Sequence, residues 1–359
     1  MSIYDSGLWA SDLDEALEIV PELQRLAGKS VMITGCTGLI CSAVVDLIIR
    51  WNVTHDEKIT ILAAARNRKR TEQRFQPYFD EDWFIYVPYD ASNSENDFSF
   101  SCDYIIHGAC NATPRMIVRE PVETMMSNFI GMVNLMEYAR KQMNTGKAAP
   151  RILFVSSSEV YGRKEHNKPS KTDEYGWIDI LNSRSSYSIG KCAAETLCAS
   201  YYDEYGVESV IVRPGHIYGP TATEADNRVA AAWAYAAARG EDIVMKSNGS
   251  QIRSYCYCAD CASAIMKVLL NGENVHAYNI SNPDSIVNIS EMADLLAKYA
   301  GTKIIREIPT DEERKGFNPM TNSSLDSTEL LDLGWKGLFD AERGFSHTVR
   351  ILREISEQS

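Results

Sequence analysis

The stretch SVMITGCTGLI, residues 30–40, decides the fold of this chain. Its first half is a short apolar run that predicts a β-strand, and the residues after Gly38 predict a helix that continues to about Trp51. Between them Gly35 and Gly38 permit a tight turn, which lets backbone N–H groups approach a pyrophosphate at the N-terminus of the helix. Cys41 stands where a third glycine commonly lets helix and strand pack closely, and its side chain is small enough to substitute. The stretch therefore predicts a strand–turn–helix unit that binds a dinucleotide.

Apolar strands alternate with helices on both sides of this stretch. The predicted strands are 30–35, 58–66, 84–90, 104–109, 151–158 and 209–214, and the long predicted helices are 122–142 and 187–205. Strands that are apolar throughout and alternate with helices indicate a parallel sheet covered on both faces. We therefore expect an α/β fold, with a Rossmann-type doubly wound parallel sheet over residues 1–214. Residues 215–359 are expected to form mainly a smaller C-terminal substrate-binding α/β lobe, with the option that the chain crosses back into the first domain.

The composition is that of an ordinary soluble globular protein and excludes several classes of function. Of the 359 residues, 45% are hydrophobic and 24% are charged, and the net charge of −13 argues against a nucleic-acid partner. We find neither a secretion signal nor an apolar run long enough to span a membrane. The nine scattered cysteines suit reduced thiols better than a disulfide framework. We therefore expect a cytoplasmic protein with no nucleic-acid and no membrane partner.

A tyrosine and a lysine four residues apart point to redox chemistry at an alcohol. Tyr187 and Lys191 lie on one face of a predicted helix, with Cβ atoms about 5–6 Å apart. At this distance the ammonium can stabilise a phenolate, which otherwise needs a pH near about 10. Ser157, at the end of the fifth predicted strand, adds a hydroxyl donor. A phenolate base, a hydroxyl and a dinucleotide turn together predict hydride transfer from an alcohol.

The order of these motifs resembles the short-chain dehydrogenase/reductase superfamily, in particular its extended branch of NAD-dependent nucleotide-sugar epimerases, dehydratases and decarboxylases. The resemblance runs from Val31 to about Trp335, and its landmarks are TGCTGLI at 34–40, YIIHGAC at 104–110, SSSEVYG at 156–162, YSIGK at 187–191, RPGHIYGP at 213–220 and QIRSY at 251–255. Within the branch, SSSEVYG is most similar to the corresponding segment of UDP-glucuronate decarboxylases. The resemblance implies a catalytic set of Ser157, Tyr187 and Lys191, with Glu159 as a carboxylate that acts near C5 and C6 of the sugar.

The resemblance also implies a tightly bound, recycled NAD or NADP and a nucleotide diphosphate sugar as the substrate. The expected cofactor-binding residues are Gly35, Thr37, Gly38, Leu39, Ile40, Arg66, Asp90, Ala91, His107, Ala109, Tyr187, Lys191, Pro214 and His216. The expected substrate-binding residues are Arg184, Arg228 and Arg253, of which Arg253 would contact the diphosphate or a sugar carboxylate.

The end of the second predicted strand leaves the type of dinucleotide open. An acidic residue there would accept hydrogen bonds from both ribose hydroxyls and select NAD, the usual cofactor of the decarboxylases. This chain has Arg66, Asn67 and Arg68 instead. Arg66 can pair with a 2′-phosphate, which favours NADP, can stack on adenine, or can be a solvated cation at the start of a loop. Asp90, after the third strand, is a candidate partner of the adenine amine.

Three reactions can follow from a sugar that is oxidised at C4. Decarboxylation of UDP-glucuronate comes first, because a C6 carboxylate beside a C4 ketone is a β-keto acid. A 4,6-dehydration of the dTDP-glucose or GDP-mannose type comes second, since Glu159 could take the C5 proton, although the dTDP-glucose dehydratases carry Asp where this chain has Ser158. A 4-epimerisation comes third, because many 4-epimerases lack the glutamate. An intact Ser157, Tyr187 and Lys191 argues against a non-catalytic regulator that only binds a dinucleotide.

Three neighbouring cysteines raise the question of a metal site. Cys258 and Cys261 form a C-x-x-C pair near Cys256, but no second pair and no nearby histidines complete the four ligands of a structural zinc. We expect buried thiols here and no metal.

The two long helices carry more apolar residues than a stripe facing the sheet requires, among them Met125, Met126, Tyr201 and Tyr202. In the superfamily these helices commonly pair between two subunits, so the resemblance implies a homodimer.

Overall fold

A seven-stranded parallel sheet forms the centre of the molecule, in a computed structural model that describes residues 2–310 and 320–357. The strands, in chain order, are β1 Ser30–Thr34, β2 Thr60–Ala65, β3 Phe84–Pro88, β4 Tyr104–His107, β5 Arg151–Val155, β6 Ser209–Pro214, β7 His216–Tyr218, β8 Ile243–Met245, β9 Ile252–Tyr257, β10 Ala277–Ile280, β11 Ile286–Asn288, β12 Ile304–Arg306 and β13 Asn322–Ser323. The central sheet has the order β10-β6-β5-β4-β1-β2-β3, and its neighbours pair in parallel. The predicted doubly wound sheet is therefore confirmed.

Successive residues of the central strands enter two different cores. Val31 and Ile33 of β1 belong to one apolar cluster, whereas Met32 between them belongs to the other. Because side chains alternate across a strand, this division places one core on each face of the sheet. Both faces being covered explains why these strands are apolar throughout.

The helices cover these two faces. They are α1 Gly7–Glu18, α2 Leu39–Thr54, α3 Arg68–Phe75, α4 Pro114–Arg119, α5 Pro121–Asn144, α6 Ser186–Tyr205, α7 Val229–Ala238, α8 Cys258–Asn271 and α9 Ile289–Ala300, followed by helices Thr328–Asp332 and Ala341–Glu357. Helices α2 and α8 share the core that contains Val31, and α5 and α6 share the core that contains Met32. The long helices α5 and α6 thus lie together on one face, at the carboxyl ends of β4 and β5.

The chain after β6 builds a second layer and then returns to the central sheet. Strand β9 pairs with β7, β11 and β13, and β8 pairs with β12. Strand β10 instead pairs with β6 and becomes an edge of the central sheet. The second layer therefore adjoins the carboxyl end of β6, where β7 begins.

The cysteines are free thiols, and those of the C-x-x-C segment are buried. Cys256 lies in β9, and Cys258 and Cys261 lie in the first turn of α8. Among residues 2–310 and 320–357, no group of three metal-ligating side chains comes together. In the same ranges, no helix combines the length and apolar character that a membrane crossing requires.

Candidate active site

The turn between β1 and α2 is built for close approach of a ligand to the backbone. Gly35 has a φ of +69°, and a Cβ there would lie 2.9 Å from the Cα of Ala109, so only glycine fits. The Gly38 N–H donates to the Gly35 carbonyl at 2.9 Å, and Gly38 is the N-cap of α2. Thr37, Leu39 and Ile40 continue this turn into the first residues of α2. The N–H groups at the start of α2 thus face a space that a diphosphate can occupy.

Cys41 occupies the third position of the turn motif because the facing strand supplies the missing glycine. The Cys41 thiol is 3% exposed, and a Cβ built on Gly108 would lie 2.3 Å from its sulfur. The close packing that a third glycine in α2 would allow is therefore obtained at Gly108, just after β4.

His107 ties the ends of β1 and β4 together as a neutral imidazole. The Thr34 hydroxyl lies 2.7 Å from His107 Nδ1 and accepts from the N–H groups of Gly108 and Ala109, both at 3.2 Å. The hydroxyl has one proton, which therefore goes to Nδ1 and leaves the His107 proton on Nε2. Burial lowers the pKa of His107 to about 3, helped by the charge of Lys191. The neutral, buried imidazole does not suit a proton donor, and its contact with a cofactor stays a prediction.

The polar residues predicted to meet the adenosine follow β2 and β3. Arg66 follows β2 and is exposed, whereas Ala91 is buried against Gly131 of α5. Asp90 follows β3, and its Oδ1 accepts from the N–H and the hydroxyl of Ser92 at 3.0 and 2.7 Å. The structure thus places both predicted polar residues at the expected edge of the sheet.

Tyr187 and Lys191 lie on one face of α6, next to the end of β5. Lys191 is 2% exposed, donates to the Val155 carbonyl at 2.6 Å and has its Nζ 5.7 Å from the centre of the Tyr187 ring. Burial raises the pKa of Tyr187 above its ordinary value, and the charges of Cys110 and Glu159 add to the rise. The sequence predicts a pKa lowered by the ammonium. In the structure the pKa of Tyr187 is raised instead, because the tyrosine is buried and the Lys191 ammonium donates to a backbone carbonyl.

Ser157 lies where a hydroxyl can share a substrate oxygen with Tyr187. Its Oγ accepts from the Glu159 N–H at 3.2 Å and caps the short 3-10 helix Ser158–Tyr161. A hydrogen bond with Ser157 opposes the rise in the pKa of Tyr187. The predicted set of Ser157, Tyr187 and Lys191 is thus assembled at the carboxyl end of β5, from residues that are distant in sequence.

Glu159 and Arg184 form an ion pair at the mouth of this set. The Arg184 guanidinium donates to both carboxylate oxygens, at 2.9 and 2.8 Å, and the Ser188 hydroxyl donates to one of them at 3.1 Å. Burial would lower the pKa of Arg184, but the hydrogen bonds and charge of Glu159 outweigh it and raise the pKa. Both side chains are about a quarter to a third exposed, so they line an accessible space beside Tyr187.

Two arginines from the second layer converge on His216. Arg253 of β9 is 3% exposed and donates to the Ile252 carbonyl, and it has no carboxylate partner among the residues that the structure describes. Arg228 pairs with Asp226. Burial and the charges of Arg253 and Arg228 lower the pKa of His216 to about 3. A buried guanidinium without a carboxylate is suited to a phosphate or carboxylate of a ligand.

A buried network beneath the site was not apparent from the sequence. Glu195 of α6 accepts from Ser156 at 2.5 Å and from two nitrogens of Arg213 at 3.0 and 2.7 Å. Arg213 also donates to the Tyr161 hydroxyl at 3.0 Å, which donates to Asn279 of β10 at 2.6 Å. The network fixes α6 against the ends of β5, β6 and β10, and thereby holds Tyr187 in place. In the sequence, this network is indicated only by Arg213, which precedes Pro214 at the end of β6.

A family model described as the NAD dependent epimerase/dehydratase family matches residues 31–281. Similar curated proteins include UDP-glucuronic acid decarboxylase 6 of Arabidopsis thaliana, which is 28% identical over 79% of this chain and 79% of that protein. UDP-glucuronic acid decarboxylase 1 of Danio rerio is 26% identical over 92% of this chain and 74% of that protein.

Solved structures with the same fold include two nucleotide-sugar enzymes. UDP-glucose 4-epimerase from Thermotoga maritima, with UDP-glucose, has a TM-score of 0.74 and 21% identity and covers 91% of this chain and 99% of that chain. The dTDP-glucose 4,6-dehydratase from Bacillus anthracis, in complex with NAD, has a TM-score of 0.73 and 18% identity and covers 92% of this chain and 98% of that chain. The family predicted from the motifs is thus confirmed: this chain belongs to the NAD-dependent epimerase/dehydratase family and is an NAD(P)-dependent enzyme.

Proposed function

We propose that this chain acts on a nucleotide diphosphate sugar and decarboxylates UDP-glucuronate through transient oxidation at C4. The observation that supports the proposal is the Glu159–Arg184 ion pair near Tyr187, which would offer a carboxylate and a cation to C5 and C6 of the sugar. The curated relatives named UDP-glucuronic acid decarboxylase support the same choice at 26–28% identity.

The residues of the turn fit a dinucleotide. The backbone around Gly35 leaves no room for a Cβ, and the N–H groups at the start of α2 are available for the pyrophosphate. Gly35, Thr37, Gly38, Leu39 and Ile40 would hold it. Bound NAD(P) would supply the hydride acceptor for oxidation at the sugar C4 and the hydride donor for the later reduction.

Ser157, Tyr187 and Lys191 manage the proton on the C4 oxygen. Tyr187 takes the proton of the C4 hydroxyl, and Ser157 holds the same oxygen by a hydrogen bond. The raised pKa of Tyr187 means that its phenolate is a strong base once formed, and that its phenol readily gives the proton back. Lys191 is buried beside it and supplies the nearby positive charge that forming a phenolate requires.

Loss of CO₂ needs stabilisation of the electron pair that remains on C5. In a 4-ketosugar that pair is delocalised onto the C4 oxygen, where the hydroxyls of Ser157 and Tyr187 can donate to it. Arg184 can donate to the C6 carboxylate while it still pairs with Glu159, because its guanidinium has further N–H donors. Glu159 thereby orients Arg184 before the substrate binds.

Dehydration fits the site less well. Elimination of water from C6 needs an acid that protonates the leaving hydroxyl. Ser158 occupies the position of the dehydratase aspartate and is buried, and Glu159 accepts hydrogen bonds from Arg184 and Ser188 instead of donating one. Decarboxylation requires no such acid.

The substrate diphosphate would bind Arg253 and Arg228. Arg253 is buried without a carboxylate partner among the described residues, so it can neutralise a phosphate without first breaking an ion pair. Arg228 would contribute the donors that Asp226 leaves free.

The proposed assembly is a homodimer in the cytoplasm. Apolar side chains at Val122, Met125, Met126 and Phe129 follow one another at helical spacing along α5 and are exposed. A second copy of this surface would cover them. The nine free thiols fit a reducing compartment.

The proposal is tested by incubating the purified enzyme with NAD or NADP and a panel of nucleotide sugars, followed by mass spectrometry. A product of UDP-glucuronate that is lighter by one CO₂ supports decarboxylation. A product lighter by one water from a hexose would make the chain a dehydratase, and a C4 stereoisomer of unchanged mass would make it an epimerase. Glu159→Gln should slow CO₂ release by about 10²-fold, because Arg184 loses the carboxylate that orients it. Glu165→Gln, an exposed residue of the following loop, is the matched control.

A further inference from the structure

The residues after β2 determine what the adenosine ribose of the cofactor meets. Strand β2 pairs in parallel with β1, and Thr34 lies opposite Ala64. The N–H groups of Gly35 and Cys36 donate to the Ala64 carbonyl at 2.9 and 3.4 Å. The chain leaving β2 therefore lies directly beside the phosphate-binding turn, where dinucleotide-binding folds contact the ribose 2′ position.

This segment has no carboxylate that could accept hydrogen bonds from both ribose hydroxyls. Its residues 66–70 are Arg-Asn-Arg-Lys-Arg, with no carboxylate among them. The Asn67 side-chain oxygen accepts from the Arg70 N–H at 2.9 Å and caps α3. A carboxylate here would bind the 2′-hydroxyl of NAD and repel the 2′-phosphate of NADP. Without it, the segment neither favours NAD nor excludes NADP in this way.

The cations of this segment differ in what they contact. The Arg68 guanidinium lies over the rings of Phe79 and Tyr86, 5.3 and 5.5 Å from their centres. Arg66 and Arg70 are exposed, and neither pairs with a carboxylate in residues 2–310 and 320–357. Arg70 also lies close enough to the turn for its charge to act on the thiol of Cys36.

We propose that this enzyme prefers NADP to NAD, and that Arg66 binds the 2′-phosphate with Arg70 as a second cation. A phosphate offers these guanidiniums the planar, charge-assisted hydrogen bonds that they lack in the free protein. The solved neighbours that hold NAD share the fold, and that likeness leaves the choice at this position open. The inference rests on the cofactor site alone and not on the reaction of the sugar.

The test is the affinity of the cofactor-free protein for NADP and for NAD, measured by titration calorimetry without any sugar. The dinucleotide that is released when the purified protein is denatured is identified by mass spectrometry as a second readout. We expect NADP to bind at least about tenfold more tightly than NAD, as two charge-assisted contacts allow. Wild-type protein that binds NAD as tightly as NADP would overturn the proposal.

The variant Arg66→Asp tests whether Arg66 is the residue that determines the preference for NADP. We expect it to bind NADP at least about tenfold more weakly and to favour NAD, because the carboxylate repels the phosphate and accepts from the hydroxyl. The control is Arg68→Gln, which removes a cation of the same segment that lies over two rings, and its NADP-to-NAD ratio should stay within about threefold of wild type. An unchanged ratio in Arg66→Asp would overturn the role of Arg66. Since neither readout uses UDP-glucuronate, failure here and failure of the decarboxylase proposal are distinguishable.

Discussion

At the residue scale, the environment of Tyr187 is what makes its hydroxyl useful. The side chain is buried between Ser157 and Lys191, and burial raises its pKa. Because burial disfavours the phenolate, we expect the phenol to keep its proton until a substrate binds. The same burial protects the phenolate from water.

Replacing Tyr187 by Phe should stop turnover and leave the cofactor in place. The phenyl ring preserves the packing of α6, but the base for the C4 hydroxyl is lost, so kcat should fall by about 10²–10⁴-fold. Steady-state rates measure the loss of turnover, and titration with dinucleotide measures whether the variant still binds the cofactor. Turnover that survives in Tyr187→Phe would mean that another group is the base.

Two buried histidines predict how the stability of the enzyme depends on pH. His107 and His216 stay neutral in the folded protein to a pH of about 3, whereas the unfolded chain protonates them near 6.5. Between these values the unfolded state binds more protons at these two positions, so their contribution to the free energy of unfolding falls as the pH falls. The slope is up to about 1.4 kcal/mol per pH unit for each histidine.

Urea unfolding at several pH values between about 7 and about 5 measures this slope. His107→Asn should reduce the slope, because it removes one of the two titrating groups whatever it does to stability at neutral pH. An identical slope in this variant would show that His107 contributes nothing to the acid sensitivity.

At the scale of elements, helix α2 and strand β4 fit together through one complementary pair. The Cys41 side chain fills the space that is left open because Gly108 has no side chain. Gly108→Ala should therefore destabilise the protein by about 1–3 kcal/mol, because the new methyl group overlaps the Cys41 sulfur. Adding Cys41→Gly should recover most of the loss, so the two substitutions couple.

Thermal unfolding of the two single variants and the double variant measures this coupling. Gly7→Ala is the control, since a Cβ there meets nothing within 4 Å and its melting temperature should stay near wild type. Additive effects of Gly108→Ala and Cys41→Gly would contradict the complementary pair.

Features that depend on the local spacing of residues could be predicted from the sequence. Features that depend on contacts between distant residues could not. The β1–turn–α2 unit and the Tyr187–Lys191 face of α6 follow from local spacing and are present as expected. The contact of Lys191 with the Val155 carbonyl and the Glu195–Arg213 pair join residues that meet only when α6 packs on β5 and β6. No local pattern reports such contacts, and the direction of the Tyr187 pKa therefore could not be predicted.

At the scale of the whole molecule, the exposed apolar face of α5 predicts the assembly. Val122, Met125, Met126 and Phe129 lie on the same face of the sheet as α6, and together they form a patch that a second copy would bury. We expect a dimer in light-scattering measurements at micromolar concentration. Met126→Lys should shift it to a monomer, because a buried charge at the interface is costly.

Val53→Lys is the control for this prediction, since Val53 is similarly exposed but lies at the end of α2 on the opposite face. A wild-type monomer, or a Met126→Lys variant that remains a dimer, would exclude α5 as the interface.

We propose that the whole molecule removes the C6 carboxylate of UDP-glucuronate. The most direct measurement supplies UDP-glucuronate with an isotopic label at C6 and follows the label by NMR, with wild-type enzyme and Tyr187→Phe in parallel. We predict that wild type releases the label as CO₂ and leaves an unlabelled UDP-pentose, and that Tyr187→Phe releases it at least about 10²-fold more slowly. Label that stays on a hexuronate of altered C4 configuration, or on unchanged substrate with either cofactor, would contradict the decarboxylase assignment.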